Sequence, residues 1–284
     1  MARALTIFTR YSDEVGKLAT VTIETGTDPG DANYGPAVLV NDNPAQVAKI
    51  NSTSGAWLLD FGIAQPVQLA ALIHHDVDAG LEVVLQGNAT NAAWGAPSFE
   101  APFVIPAWRA LATQPWPVNP WIDLTAAEGY NPAGFRFWRL LITGNSQNIQ
   151  VGNLKLYSTS FRLTSDFREG LSPSWLKPVI EHQTSYRVAT IYPRGTAQWA
   201  QAGTIRTESA LLETLEAHWF DVDGRALPFV MVPNALRNIA YFVRMKTVDR
   251  QHAVLFYNET TDDELVDLPI AVEEVGRGLR PGPT

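Results

Sequence analysis

The chain contains no cysteine. Disulfide frameworks, thiol catalysis and cysteine-ligated metals are therefore excluded together, and redox chemistry leaves no mark of compartment. Basic runs are missing as well. Lys and Arg total 21 against 29 Asp and Glu, and the net charge is −8 with a pI near 5.1. Tight binding to a phosphate backbone is not expected from such a surface, so no direct nucleic-acid partner is read. Charge of either sign is scarce: 18% of residues, against a typical ~25%. That scarcity suits a surface covered by other chains, and equally an all-β protein. No apolar run approaches the ~20 residues that span a bilayer, so no membrane insertion is expected. The opening "MARALTIFTR" is interrupted by Thr6, Thr9 and Arg10, which breaks any signal-peptide core. The expectation is a protein made in a cytoplasm and not exported by the usual route.

What is present is a β pattern. "ATVTIET" (19–25) alternates apolar and polar residues, as a half-buried strand does. "GAWLLDFG" (55–62), "VQLAALIHH" (67–75) and "LEVVLQGN" (81–88) read as three further strands, each bounded by turn formers. Residues 92–124 form a long aromatic and proline-rich loop, and "FRFWRLLITG" (135–144) and "IQVGNLKLY" (149–157) return to strand. Closely spaced strands without intervening helices predict a β-sandwich over residues 1–160. Residues 161–180 mix Ser, Thr, Pro and charge and read as a linker. Residues 181–284 then form a smaller α+β domain with one main helix, "TESALLETLEAHWF" (207–220), with Thr207 as N-cap and Glu208 near the helix dipole. Two strands are expected at 240–248 and 252–260, followed by an extended acidic C-terminal segment. At 284 residues, two domains are the natural division.

Motifs for chemistry are thin. His74 and His75 are adjacent, so in a regular strand they point to opposite faces and cannot ligate one metal; one buried and one exposed histidine is the expectation. His182, His218 and His252 have no H-E-x-x-H spacing, and no G-x-S-x-G elbow exists. "DVDG" (221–224) lacks the remaining ligands of a calcium loop and reads as a hairpin turn. Glu100, Asp123 and Glu128 are the first carboxylates to test for glycoside hydrolysis. No catalytic, metal or cofactor site is expected, and the chain is read as a non-enzyme. The aromatics of the long loop, Trp94, Trp108, Trp116, Trp121 and Tyr130, are the candidate contacts. They could pack beneath their own loop, anchor a protein interface or stack on a glycan. In 135–144, strict alternation would put Phe135, Phe137 and Arg139 on one face and Arg136, Trp138 and Leu140 on the other, with the arginines paired to Asp60 or another carboxylate.

The order "W-x-x-D-F-G … L-E-V-V-L-Q-G-N … F-W-R-L-L-I … I-Q-V-G-N-L-K-L-Y" resembles the galactose-binding-like (discoidin or coagulation-factor C-type) sandwich over residues 30–160. Trp57, Asp60 and Gly62, then Trp138 to Ile142, then Val151 to Tyr157 carry the likeness. Gly152 and Asn153 stand where that family often has a Glu, and the disulfide of many members is absent, so its loop-borne sugar or lipid site does not transfer. The whole chain is similar to tail-tip or distal-tail structural proteins of tailed bacteriophages. That resemblance implies a homo-oligomeric ring in the virion tail, packed against other tail proteins and touching a host-surface glycan through residues 92–124. A carbohydrate-binding module is the alternative, and a glycan-active enzyme the third reading.

Overall fold

The computed structural model describes residues 6–43, 46–106, 109–111, 114–116, 119–163, 172–176, 179–183, 189–193, 198–208, 212–221, 227–233, 235, 239–245, 253–258 and 263–275. The chain divides into two compact units. One is Ala4–Arg162 joined by Phe229–Tyr241; the other takes Met1–Arg3, Leu163–Pro228 and Phe242–Thr284. No helix among the described residues is long and apolar enough to cross a membrane.

In chain order the strands of the first part are β1 (Thr6–Phe8), β2 (Thr20–Thr25), β3 (Ala48–Ile50), β4 (Gly55–Gln65), β5 (Leu69–His75), β6 (Glu82–Asn88) and β7 (Phe99–Val104). They continue with β8 (Arg109–Leu111), β9 (Gln114–Trp116), β10 (Trp121–Asp123), β11 (Phe135–Ile142), β12 (Ile149–Tyr157) and β13 (Phe161–Leu163). Two antiparallel sheets form a sandwich, one in the order β10-β5-β12-β3 and the other β2-β4-β11-β6-β7. Trp57, Leu59, Leu72, Leu85, Trp138, Leu140 and Leu154 fill the space between them, fully or almost fully buried. Each such side chain contributes about 1.5–3 kcal/mol on leaving water. Phe99, Phe135 and Trp138 interlock with ring centroids 5.6–5.9 Å apart, in stacked and edge-on geometries that aromatic pairs prefer.

Several expectations change. Residues 92–124 are not one loop, since β7, β8, β9 and β10 lie within them. Pro102 argues against a strand, but β7 is the edge of its sheet, where a residue without an N–H does no harm. Its burial alternates cleanly, with Phe99, Ala101 and Phe103 inside and Glu100, Pro102 and Val104 outside. In β11 the register shifts between Phe135 and Phe137. Phe135 thereby joins Trp138 and Leu140 in the core, while the Trp138 indole N–H donates to the Phe135 carbonyl at 3.1 Å. The expected pairing of Arg136 with Asp60 is present and bidentate, at 2.9 and 3.0 Å.

The two histidines differ from expectation as well. His74 and His75 are both buried, and β5 is covered along its whole length. His74 sits at φ 54, off the regular strand, so simple alternation no longer applies. Gly152 makes this kink possible: a Cβ there would lie 2.8 Å from the His74 Cβ. The His75 Nδ1 accepts the Val77 N–H at 3.2 Å. Among the described residues no group of His, Asp and Glu could hold a metal ion.

The remaining strands are β14 (Ser172–Leu176), β15 (Val179–Gln183), β16 (Ala189–Pro193), β17 (Gln198–Glu208), β18 (Phe229–Val232), β19 (Tyr241–Met245), β20 (Ala253–Asn258) and β21 (Asp263–Glu274), with one helix, α1 (Leu212–Asp221). β18 returns to the first unit and pairs antiparallel with β1, where Val230 N–H donates to the Thr9 hydroxyl at 2.9 Å. In the second unit β21 is the hub, pairing with β17, β19 and β20. The acidic C-terminal stretch is thus strand over Asp263–Glu274, and β19 and β20, within the two strands expected at 240–248 and 252–260, each pair with it. The helix is shorter than expected. Thr207 and Glu208 lie in β17 opposite Val266 and Leu265, so they are not its cap; ladder bonds to β21 outweigh local helix signals there. Asp221 ends α1, and the rest of "DVDG" lies outside the described residues.

Candidate functional site

The outer face of the five-stranded sheet carries a connected polar row beneath one indole. It starts from the β6–β7 hairpin. Asn88 closes that loop: its Nδ2 donates to the Ala92 carbonyl at 2.9 Å, and its Oδ1 accepts the Ser98 N–H at 2.7 Å. The loop it braces carries Trp94, whose Nε1 donates to Asn91 Oδ1 at 3.0 Å. The half-buried indole lies over Arg139, with the guanidinium carbon 5.6 Å from the ring centroid, within the range of a cation–π contact.

Arg139 is the centre of the row. Its Nε is 2.5 Å from Glu24 Oε2 on β2, and its Nη1 donates to Gln86 Oε1 on β6 at 3.2 Å. Gln86 Nε2 in turn donates to Glu100 Oε2 on β7 at 2.7 Å. Register makes this arrangement: Arg139 is opposite Gln86, and Gln86 opposite Glu100. The Arg139 side chain is 13% exposed and Glu24 26%, so these groups are held in place at the surface of the sheet. Planar guanidinium, carboxylate and amide groups fixed by each other are the kind that recognise paired hydroxyls or carboxylates through two parallel hydrogen bonds.

Among the described aromatics named from sequence, Trp94 is the one that stands in this row. Trp121 is half-buried on β10, at the edge of the other sheet. Tyr130 packs against the sandwich core. Burial raises its hydroxyl pKa, as does the charge of Asp123, and a hydrogen bond with Gln68 opposes the shift. Trp108 lies outside the described residues, and of Trp116 only its strand position opposite Arg109 is described. The three carboxylates do not form a set. Glu100 lies in the polar row and Glu128 is exposed. Asp123, on the other sheet, accepts from the Thr125 N–H and hydroxyl at 3.1 and 2.6 Å, capping a turn. Sequence reading missed Glu24, Gln86 and Arg139 as a group because cross-strand register joins them. The one local signal was a charged residue interrupting the apolar "FWRLLI".

Solved structures similar to this chain include a GH29 fucosidase of Ruminococcus gnavus in complex with fucose, at 14% identity and a TM-score of 0.38, covering 53% of this chain and 27% of that one. A chitosan-binding module from a Paenibacillus chitosanase/glucanase matches at 12% identity and a TM-score of 0.36, covering 51% of this chain and 98% of the module. A CBM32 module of Clostridium perfringens in complex with GalNAc-β-1,3-galactose matches at 4% identity and a TM-score of 0.36, covering 51% of this chain and 99% of the module. The chain thus spans about a quarter of the fucosidase and nearly the whole of each module. No family model matches the sequence, and no curated protein matches it.

Proposed function

We propose that this chain is a carbohydrate-binding protein whose ligand face is the outer surface of the five-stranded sheet around Trp94 and Arg139. One observation carries the reading: an indole lying over Arg139, the centre of a row of planar polar groups that also holds Glu24, Gln86 and Glu100. A pyranose has an apolar C–H face and a rim of hydroxyls. An indole covers the first, while fixed carboxylate, amide and guanidinium groups take the second. No acid–base step is assigned to these groups, and the protein acts by binding. The test is a glycan array followed by calorimetry. Trp94→Ala abolishes binding to whichever glycan the parent chain retains, and Trp121→Ala leaves it intact. Loss in Trp121→Ala with retention in Trp94→Ala, or no glycan bound by the parent, overturns the reading.

The virion reading rests on a different observation. Leu18, Ile63 and Val104 are large apolar side chains left exposed in the first unit. A tail component would bury such residues against further copies and neighbouring tail proteins, in interfaces above ~1,000 Å². Here they stand on separate elements, and singly exposed apolar residues are common on monomers, so glycan binding is the preferred reading. A stable ring on sizing, lost with Ile63→Glu, is the result that would reverse the preference.

A further inference from the structure

The first unit also holds a buried charge cluster that glycan binding does not use. β12 points Asn153, Lys155 and Tyr157 away from the core that Leu154 and Leu156 enter. All three are nonetheless fully buried, because two segments lie over them. Val15 N–H donates to the Leu156 carbonyl at 2.9 Å, fixing the first segment. Asn153 Nδ2 donates to the Asn41 carbonyl at 2.8 Å, fixing the second. Lys155 Nζ is then enclosed. It lies 2.7 Å from Asp42 Oδ1, 2.9 Å from Glu14 Oε1 and 3.2 Å from the Asn41 carbonyl. The side chains of Lys155 and Glu14 are 0% and 1% exposed, and that of Asp42 is 34% exposed. On the far side of Asp42, the Tyr11 hydroxyl donates to Oδ2 at 2.9 Å.

An amine held against a carboxyl, a second carboxyl against the amine and a hydroxyl on the remaining oxygen make up the parts of an acyl transfer. We propose that Lys155 and Asp42 condense spontaneously to an intramolecular isopeptide bond, with Glu14 as the proton carrier. A proton passes from the Lys155 ammonium to the Asp42 carboxylate, giving a neutral pair. The nitrogen lone pair attacks Cγ of Asp42, and the C–N bond forms. Oδ2 takes the developing negative charge and is stabilised by the Tyr11 O–H. Glu14 accepts the proton from nitrogen and delivers it to Oδ1, which leaves as water as the C–O bond breaks. Nothing is oxidised or reduced, and no co-reactant is needed.

Three physical arguments support the step. Holding the amine in contact with the carboxyl supplies an effective concentration of about 10⁵ M or more. Burial pushes the Glu14 carboxyl up, against the pull of Lys155, which suits a group that must carry a proton. Burial also acts to raise Asp42, but the charge and hydrogen bond of Lys155, the Tyr11 hydrogen bond and the charge of Lys17 together outweigh it and hold that carboxyl low; the condensation therefore starts from the ion pair. The amide removes the charge of Lys155, whose ammonium is fully buried, where an ion is costly and a neutral hydrogen-bonded group is not.

Mass spectrometry of the full chain decides the matter. The expected intact mass is one water below that dictated by the sequence, and protease digestion yields a branched peptide joining the Asp42 and Lys155 segments. Lys155→Met and Glu14→Gln restore the full mass, while Asp42→Asn loses ammonia in place of water. The full sequence mass in the parent chain overturns the proposal. So does a water loss that persists in Lys155→Met. Since the parent chain alone gives the decisive mass, a variant that fails to fold leaves the test intact.

Discussion

Two glycines share a backbone conformation but not a setting, and replacing each by alanine separates strain from space. Gly134 has φ +76 and Gly62 has φ +74, both in the left-handed region. A Cβ at Gly62 would meet nothing within 4 Å. At Gly134 it would lie 1.9 Å from the Gln65 carbonyl oxygen, 2.0 Å from its carbon and 2.3 Å from the Pro66 nitrogen. Those atoms are backbone and cannot rotate away. Phe135 pairs with Gln65 in the register of β11 and β4, and Asn131 Nδ2 ties down the Gly134 carbonyl at 3.0 Å. Gly62→Ala should therefore cost only the left-handed penalty, about 1–2 kcal/mol. Gly134→Ala should cost that plus displacement of two strand ends, about 4 kcal/mol or more. For a domain of this size, each kcal/mol lowers Tm by roughly 2–4 °C. The expected losses are thus about 2–8 °C for Gly62→Ala and at least about 8–16 °C for Gly134→Ala. Urea unfolding followed by tryptophan fluorescence reports both, because Trp57 and Trp138 are buried. Equal losses in the two variants would refute the reasoning, since the crowding at Gly134 would then count for nothing.

Trp138→Ala removes the hub of the Phe99–Phe135–Trp138 cluster and should cost about 3–5 kcal/mol in the same urea assay, with the Phe135 carbonyl left without its indole donor. Burial raises the Tyr157 hydroxyl well above its ordinary value. Its contribution to stability is therefore complete below the unfolded pKa near ~10 and is lost as pH rises above that. Absorbance titration should show a tyrosine step that appears only with unfolding, and Tyr157→Phe should remove that step. Asp60 is held below the usual carboxylate range by the Arg136 guanidinium and the Gly62 N–H. Its support is present above the unfolded pKa near ~4 and fades as pH falls through the lower folded value. Asp60→Asn should flatten that acid limb in a series of denaturation midpoints.

The sequence by itself determined the strands whose partners simply complete a local pattern. β2, β4, β5, β6, β11 and β12 follow from alternation or continuous apolar runs between turn formers, and with them the mainly β character and the sandwich. Local pattern also supplied Arg136 with Asp60, two polar residues on strands that the hydrophobic faces already align. Tertiary structure decided the rest. β7 is a strand despite Pro102 because it falls at an edge, and Thr207 is strand because β21 offers a ladder. His74 is buried because Gly152 lets two backbones close on each other. Arg139 meets Glu24 and Gln86, and Gln86 meets Glu100, through pairing between strands far apart in sequence. Lys155 is one residue of the strand read at 149–157, and returning segments shut it away with Glu14 and Asp42. Periodicity reports which residues share a face of an element; burial and charge pairing depend on what arrives to cover that face, and distant parts of the chain bring it.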